Sequence, residues 1–312
     1  MTENNVVCIG LTVADILARP VGLEFQKRDT TFVDEIAYAV GGDAFNEAFA
    51  LARMDVPVKL ISSVGSDIWG DFIIKAGNEA GINMEHVVCQ KKHPTTVSLV
   101  IIRQDGERNF ICARESSAMH FVSESLDIPA IKKAKIVSLA SLYTSDEMDM
   151  AFLESAKIAK KAGAIITADT TSNMDIRTLE SRAELLSLLD FIFPNYEEAS
   201  SVTKETSLDG IAKVFLEYGV RNVVIKTGIN GCYIQNADEK FEVPAYKNIK
   251  LVDTTGAGDN FVAGFIYGLY RDLPLRKCAA YANAAAAVSI QYVGAGGLKN
   301  LGEVENMMTG DC

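Results

Sequence analysis

The sequence predicts an α/β protein with a doubly wound, mostly parallel sheet, helices on both faces and a small β-sheet lid, all in one domain over residues 1–312. Two observations lead to this prediction. Short apolar runs with the length of buried strands alternate with longer amphipathic runs with the length of helices. Two other stretches, rich in β-branched and aromatic residues, interrupt that order.

Six apolar runs are the predicted strands of the main sheet: residues 6–10, 58–64, 136–139, 164–169, 190–194 and 222–227. Seven amphipathic runs are the predicted helices: residues 44–54, 67–80, 147–161, 183–189, 208–218, 260–270 and 275–292. In a sheet of this kind, ligands bind at the carboxyl ends of the strands, so we expect the functional groove there.

The interrupting stretches are residues 30–39 and 95–112, with a turn predicted at 104–107. We expect them to form lid strands, within about 11–40 and 93–115, that close over a substrate and exclude water. Ordinary edge strands of the main sheet are the alternative interpretation.

Composition excludes several functions. A formal net charge of -11 argues against a nucleic-acid or anionic-membrane surface, which would need clustered Lys and Arg. No apolar run is long enough to span a bilayer, and no export signal is visible, so we expect a cytoplasmic protein. The six cysteines form no Cys-x-x-Cys pair and are expected to be reduced thiols. The three histidines, His86, His93 and His120, have no spacing along the chain that suits a metal.

The segment 253–259, DTTGAGD, puts a small-residue turn and a carboxylate at the start of a predicted helix. Gly256 and Gly258 let the backbone approach a ligand closely, and amides at a helix start favour an anion such as phosphate. An ionised Asp259 would repel a bare phosphate, so we expect it to accept a proton from an attacking hydroxyl. The segment therefore predicts phosphoryl transfer. A simple turn with Asp259 as a capping residue is the alternative.

A second glycine turn, Gly41-Gly42, precedes another predicted helix. Asp43 and Asn46 lie about one helical turn apart and could bind the hydroxyls of a polyol, or Asp43 could cap the helix while Asn46 is solvated. Asp15 follows the first predicted strand, at the edge where ligands bind in this architecture.

Two further segments follow predicted strands. Asn195 and Glu198 open a helix and could hold the waters of a magnesium ion, or form a helix-capping box. The run from Lys226 to Gly231 could contact phosphates through its hydroxyl and glycines, or form an ordinary hairpin turn. Neither a P-loop motif nor a dinucleotide-binding fingerprint is present.

With these motifs in their observed order, the chain resembles the ribokinase-like, or PfkB-type, carbohydrate kinases over nearly its whole length. DTTGAGD is similar to the family's C-terminal signature, and Gly41-Gly42 with Asn46 is similar to its N-terminal one. The resemblance implies a ribokinase-like fold, a Rossmann-like α/β domain with a β-sheet lid. It also implies an enzyme that uses ATP and Mg²⁺ to phosphorylate a sugar hydroxyl, and a homodimer formed through the lid.

The resemblance implies roles for the matching residues. Asp259 would be the general base, and Gly256, Ala257 and Gly258 would form the anion hole. Asp15, Gly42 and Asn46 match sugar contacts. The candidate nucleotide-binding residues are Lys226, Thr227, Gly228, Gly231, Thr255, Gly258 and Asn283. Asn195 and Glu198 would position Mg²⁺ through water, and Asp253 and Thr255 would hold the monovalent cation, K⁺, that some members bind.

Departures from ribokinases bear on the substrate. Ribokinases tend to have lysine after the diglycine and glutamate on the strand near 143, where this chain has Asp43 and Tyr143. Segment 106–114 is more similar to fructokinases and 2-keto-3-deoxygluconate kinases. Arg114 would then hold a substrate carboxylate, or it could lie in a surface salt bridge.

The expected reaction transfers the γ-phosphate of ATP to a hydroxymethyl-type hydroxyl of a fructose-like ketose or a 2-keto-3-deoxygluconate-like acid, in preference to ribose. One alternative is a nucleoside kinase of the same fold, with Tyr143 and Phe110 stacking on the base. A second is a noncatalytic sugar- or nucleotide-sensing protein.

Overall fold

The computed structural model describes residues 5–104, 108–171 and 179–310. Its strands are β1 (Val6–Ile9), β2 (Val13–Val21), β3 (Glu35–Gly41), β4 (Val58–Gly65), β5 (Val87–Gln90), β6 (Val97–Arg103), β7 (Arg108–Cys112), β8 (Ile136–Leu142), β9 (Ile165–Thr170), β10 (Phe191–Phe193), β11 (Asn222–Lys226), β12 (Cys232–Gln235) and β13 (Lys240–Val243). Its helices are α1 (Asp43–Arg53), α2 (Ile68–Ala80), α3 (Ile128–Lys133), α4 (Asp146–Ala162), α5 (Ala183–Leu186), α6 (Tyr196–Thr203), α7 (Leu208–Glu217), α8 (Ala257–Tyr270), α9 (Leu275–Ser289) and α10 (Leu301–Thr309).

Nine strands form the main sheet, in the order β13-β12-β11-β10-β9-β8-β1-β4-β5. The strands from β11 to β5 in that order run parallel, and β12 and β13 are antiparallel additions at one edge. All six predicted strands lie in this sheet, and the predicted fold class is confirmed.

Helices cover both faces of the sheet. Val6 and Cys8 of β1 pack into a core shared with α1, α2, α8, α9 and α10. Val7 and Ile9 alternate with them and pack into a second core with α3, α4, α5 and α7. Central strands are therefore apolar at nearly every position, because both of their faces are buried.

The lid is a separate sheet of four strands in the order β3-β2-β6-β7. The interpretation of these stretches as edge strands of the main sheet is therefore wrong. Asp15 of β2 pairs with Ser98 of β6, which pairs with Cys112 of β7. Because alternate residues share a face, Asp15, Arg108 and Phe110 lie on one face of the lid.

Some elements differ from the sequence-based expectation. Helix α8 begins at Ala257 rather than at 260, so Asp259 lies inside its first turn. Strands β5, β12 and β13 and helices α3 and α10 were not predicted. Of the turn predicted at 104–107, residues 105–107 lie outside the described part of the chain. Across the described residues, no helix combines the length and the apolar character needed to cross a bilayer.

Candidate active site

The glycine turn lies at the start of α8. Gly256 occupies the N-cap position with φ of 70°, and a side chain there would clash with Ala295, so only glycine fits. The amide of Ala257 donates to the carbonyl oxygen of Thr254 at 3.2 Å, which closes the turn. Since the cap residue is Gly256, the interpretation of Asp259 as a capping residue is wrong. The carboxylate of Asp259 is therefore available for another partner.

That partner is Asn46 of α1. Its Nδ2 donates to Oδ2 of Asp259 at 2.6 Å, and its side chain is buried, so Asn46 is not solvated as one interpretation held. Burial raises the pKa of Asp259 well above its ordinary value, and the nearby carboxylate of Asp43 raises it further. The hydrogen bond from Asn46 acts in the opposite direction. The two glycine-turn helices thus bring a carboxylate and its donor together.

Asp43 is the first residue of α1, and it does not cap that helix. Gly42 takes the N-cap position with φ of 91°, where a Cβ would lie 2.6 Å from the carbonyl oxygen of Leu11. Burial and the carboxylate of Asp169 raise the pKa of Asp43, a hydrogen bond with Ser141 opposes the rise, and the resulting pKa is about 6. Asp43 therefore faces the site beside Asp259.

Asp15 reaches the same place from the lid. The sequence placed it just after the first strand of the main sheet, but it lies within β2, whose strand neighbours are β3 and β6. Burial and, second to it, the carboxylate of Asp43 together raise the pKa of Asp15 to about 7. Lid and main domain thus each contribute carboxylates to one cleft.

Lys226 at the end of β11 supplies positive charge beneath the glycine turn. Its Nζ bonds to both carboxylate oxygens of Asp169, at 2.7 and 2.9 Å, and a Cβ on Gly258 would lie 3.4 Å from that nitrogen. Burial opposes the charge on Lys226, but Asp169 and Glu198 outweigh it and raise the pKa of the ammonium. Lys226 is therefore charged where a phosphate on the glycine turn would lie.

A cavity of about 560 Å³ opens next to this lysine. Its lining includes five of the predicted site residues: Asn195, Lys226, Thr227, Gly228 and Gly258. The hairpin interpretation of the 226–231 run is also correct, because β11 and β12 pair with Lys226 opposite Cys232. The same loop thus forms a hairpin turn and one wall of a cavity large enough for a nucleotide.

Three predicted nucleotide contacts, Gly231, Thr255 and Asn283, are not among the residues that line this cavity. Gly231 closes the hairpin turn with φ of 97°, and its amide donates to the carbonyl oxygen of Gly228. Asn283 on α9 donates to the carbonyl oxygens of Val243 and Pro244, at 3.1 and 3.2 Å. Gly231 thus shapes the turn that carries Gly228, a residue of the cavity wall.

Asn195 and Glu198 form the capping box at the start of α6. The Asn195 side chain accepts from the Glu198 amide at 2.8 Å, and the Glu198 carboxylate accepts from the Asn195 amide at 3.1 Å. The hydroxyl of Thr170 also donates to Glu198, at 2.7 Å. Burial raises the pKa of Glu198, and Lys226 opposes the rise. The box fixes the Glu198 carboxylate next to the cavity that Asn195 lines.

The loop before the glycine turn is bound by a lid residue. Asp253 accepts hydrogen bonds from the amide and hydroxyl of Thr255, at 2.9 and 2.6 Å, and from the amide of Gly294, at 2.9 Å. The guanidinium of Arg108 lies 3.3 Å from Asp253, donates to Thr254 at 2.6 Å and also bonds to the hydroxyl of Thr255. Although burial opposes it, these donors lower the pKa of Asp253.

Arg114 and Tyr143, two further candidates from the sequence, differ sharply in burial. Arg114 is exposed and forms no salt bridge with another described residue, and its contact with a substrate carboxylate stays a prediction. Tyr143 is fully buried in the second core, with its amide donating to Asp149 at 3.0 Å, so it cannot stack on a base. Phe110 is 59% exposed on the lid face that carries Asp15.

Sequence reasoning missed Asp169, the partner of Lys226. Its position as the last residue of a predicted strand was a usable signal, because the carboxyl ends of strands hold the ligands in this architecture. Ser141 and Arg108 gave no such signal, since their roles depend on contacts with Asp43 and with the 253–255 loop.

The comparisons with known proteins identify the family of the chain. The family model of the pfkB family carbohydrate kinases matches residues 3–300. The chain is 30% identical over 308 residues to a probable chloroplastic fructokinase-6 of Arabidopsis thaliana, covering 93% of this chain and 78% of that one. It is 29% identical to a ribokinase of Staphylococcus aureus, covering 94% and 95% of the two chains.

Among solved structures, an Escherichia coli protein assigned as a ribokinase II, in complex with ATP and Mg²⁺, superimposes with a TM-score of 0.86 at 26% identity. The match covers 99% of each chain. Both the predicted family and the predicted enzyme class are confirmed. The chain belongs to the pfkB family of carbohydrate kinases and is an enzyme of that class.

Proposed function

We propose that this chain transfers the γ-phosphate of ATP to a hydroxymethyl-type hydroxyl of a small neutral sugar, a fructose-like ketose. The observation that carries the proposal is the position of Asp259. It lies in the first turn of α8, directly after the glycine turn, and is held by Asn46. The relative solved with ATP and Mg²⁺ supports the choice of phosphate donor.

In this mechanism, the sugar binds between the lid and the main domain, with its hydroxyls on Asp15, Asp43 and Asn46. Asp259 accepts the proton of the attacking hydroxyl as its oxygen bonds to the γ-phosphorus, while the bond from that phosphorus to the β–γ bridging oxygen breaks and ADP leaves. The Gly258 amide, the α8 dipole and Lys226 stabilise the negative charge on the transferred group. The nucleotide would occupy the cavity beside Thr227 and Gly228.

The residues present fit a magnesium ion. Asn195 lines the cavity, and the carboxylate of Glu198 is fixed beside it, while Asp169 adds a second carboxylate nearby. Hard oxygen ligands with retained waters are what Mg²⁺ prefers in proteins. When bound, the ion would neutralise charge on the ATP phosphates, and Asn195 and Glu198 would hold its waters.

The residues predicted to hold a monovalent cation are already occupied by another positive group. The oxygens of Asp253 and Thr255 are already bonded to Arg108, so they fit K⁺ only after the guanidinium withdraws. We propose that Arg108 supplies the positive charge at this position when the lid is closed. The side chain would thereby couple lid closure to the loop that carries the glycine turn.

The electrostatics of the cleft support a neutral sugar rather than a ketodeoxy acid. Asp15, Asp43 and Asp259 would, when ionised, repel a substrate carboxylate. Ribose is disfavoured because Asp43 and Tyr143 stand where ribokinases tend to have lysine and glutamate.

The nucleoside-kinase alternative loses one of its two stacking residues, since Tyr143 is buried. Phe110 still offers a ring on the inner face of the lid. The sensor alternative is disfavoured because Asp259 and the glycine turn are intact and the family is one of enzymes.

We also propose a homodimer formed through the outer face of the lid. Ile16 of β2 pairs with Tyr38 and with Leu99, which pairs with Ile111, so these residues form one row across the sheet. Tyr38, Leu99 and Ile111 are exposed apolar side chains, and a second copy would bury them. A cytoplasmic location is part of the proposal, supported by the free thiols of the five described cysteines.

The test is ATP consumption by the purified chain against fructose, other ketoses, aldoses, 2-keto-3-deoxy acids and nucleosides. We expect the highest kcat/KM with a neutral ketose and product phosphorylated at a hydroxymethyl group. Highest activity with a nucleoside would support the first alternative. Absence of turnover with every acceptor, while ATP still binds, would contradict the kinase assignment.

A further inference from the structure

The strongest feature outside the cleft lies where the lid joins the main domain. Residues 91–96 lead into β6, and residues 113–120 follow β7, so these two segments are the connections of one lid hairpin. His93 lies on the first, and Glu115 and His120 lie on the second. Their spacing along the chain suggested no metal site, but the fold brings the three side chains together.

The geometry of the three side chains is compact. The candidate ligand atoms of His93, Glu115 and His120 all lie within 4.8 Å of one another. Nε2 of His120 is 2.9 Å from Oε2 of Glu115, and the two imidazole rings stack with centroids 3.6 Å apart. Donor atoms in a tetrahedral zinc site lie about 3.3 Å apart, given bonds of about 2.0 Å. Coordination of one ion would require the two stacked rings to turn apart, so that one nitrogen of each points to the ion beside the Glu115 carboxylate.

The backbone beneath the cluster is already fixed. The amide of Ser117 donates to the carbonyl oxygen of Pro94 at 2.8 Å, and the amide of Ala118 donates to the hydroxyl of Thr96 at 3.1 Å. Gln90 donates to the carbonyl oxygen of His120 at 3.1 Å. Because these bonds join the two segments, a metal would not have to order the chain in order to bind.

We propose that His93, Glu115 and His120 bind a divalent transition-metal ion of the zinc class, with water in the remaining position. Two imidazoles and one carboxylate are a common ligand set for Zn²⁺, whereas Mg²⁺ prefers oxygen ligands alone. The site is therefore separate from the magnesium used with ATP. Bound metal joins the two connections of the lid hairpin. This inference does not rest on the proposed function.

The direct test uses Co²⁺ and Zn²⁺ on the full chain after removal of adventitious metal. We expect one Co²⁺ per chain, with visible d–d absorption and without a thiolate charge-transfer band. Excess Zn²⁺ should displace it, and Mg²⁺ should not. Zn²⁺ well above its Kd should raise the Tm by about 2 °C or more. Slower hydrogen exchange in residues 93–96 and 113–120 should accompany the binding.

Substitution of each proposed ligand tests whether these three residues bind the metal. His93→Ala and His120→Ala should each weaken Zn²⁺ binding by at least about 10-fold, and Glu115→Gln should weaken it to a smaller extent. His86→Ala is the matched control, since His86 pairs with Asp127 at 2.5 Å outside the cluster, and it should bind as the parent does. The Cys89→Ser/Cys112→Ser variant should also bind unchanged, although both thiols are exposed. Unsaturable binding, or full binding by His93→Ala/His120→Ala, would overturn the proposal.

Discussion

Asn46 donates a 2.6 Å hydrogen bond to Asp259, and the two residues are 213 positions apart in the chain. Each lies in the first turns of a helix that follows a glycine turn, α1 in one case and α8 in the other. Because these helices pack side by side, the two family signatures form a single site. The hydrogen bond orients the carboxylate that we propose as the base.

Replacing that carboxylate should remove catalysis and leave the fold intact. Asp259→Asn keeps the shape of the side chain but cannot accept a proton, so kcat should fall by about two to four orders of magnitude. ATP binding, measured by calorimetry, should change little because the cavity is lined by other residues. The control is Asp71→Asn, an exposed acid in the first turn of α2, which should retain full activity. Near-normal turnover by Asp259→Asn would remove the residue from the mechanism.

The pH dependence of kcat/KM should report the surroundings of Asp259. The base acts in its ionised form, so activity rises as the pH rises through the pKa of Asp259, which burial and Asp43 raise. Asp43→Asn removes the second of these causes and should move the acidic limb to lower pH. Asn46→Ala removes a hydrogen bond that lowers the pKa, and it should move the limb to higher pH by about one unit.

Opposite shifts in these two variants are the decisive result. Both residues are also proposed to contact the sugar, so each variant is expected to raise KM. A loss of activity alone therefore cannot separate an effect on the pKa of Asp259 from a loss of sugar binding. The direction in which the acidic limb of the pH profile shifts can separate them. Shifts in the same direction would show that the electrostatic account of Asp259 is wrong.

The sequence identified most of the fold because burial on both faces makes central strands apolar. Val6, Val7, Cys8 and Ile9 are all fully buried, and such runs are recognisable without any partner. Strand β13 is different, since Lys240 and Glu242 alternate with apolar residues at the exposed edge of the sheet. Its short polar pattern resembles a loop.

The parts of the site that consist of a local sequence motif could be predicted. Charged pairs between residues that are far apart in the sequence could not. The glycine turns could be recognised because Gly42 and Gly256 adopt positive φ values that glycine favours. The Lys226–Asp169 pair joins the ends of two strands, and only the sheet order puts them together. The proximity of His93 and His120 could not be predicted for the same reason, because the lid hairpin separates them along the chain.

Arg108 should determine whether the enzyme responds to K⁺. With the guanidinium on Asp253 and Thr255, the parent protein should have equal activity in K⁺ and in tetramethylammonium salts. Arg108→Ala leaves the Asp253 carboxylate without this cation, so kcat/KM should fall about 10-fold or more and K⁺ should restore part of it. Arg28→Ala changes an exposed arginine of the β2–β3 loop and serves as the control. Strong K⁺ activation of the parent protein would contradict the role of Arg108.

Asp15 should make stability depend on pH. Its pKa of about 7 in the folded protein exceeds the unfolded value of about 3.9, so the folded state holds an extra proton between these values. Stability is therefore lost as the pH rises from about 4 to 7. Asp15→Asn removes this loss. The free energy of unfolding of the variant minus that of the parent should therefore be about 4 kcal/mol larger at pH 8 than at pH 4. Denaturant titrations at the two pH values measure it, and equal differences at both would contradict the assignment.

The buried Lys226–Asp169 pair should affect stability and nucleotide binding separately. Lys226→Met leaves Asp169, which is 2% exposed, without its cation among other carboxylates, so the free energy of unfolding should fall by about 3–5 kcal/mol. The double variant Lys226→Met/Asp169→Asn removes the unpaired charge and should recover much of that loss. ATP affinity should stay low in both variants, because neither has the ammonium under Gly258. Lys213→Met, at an exposed pair with Asp209, is the control and should change neither quantity appreciably. Recovery of ATP affinity in the double variant would mean that Lys226 acts only by neutralising Asp169.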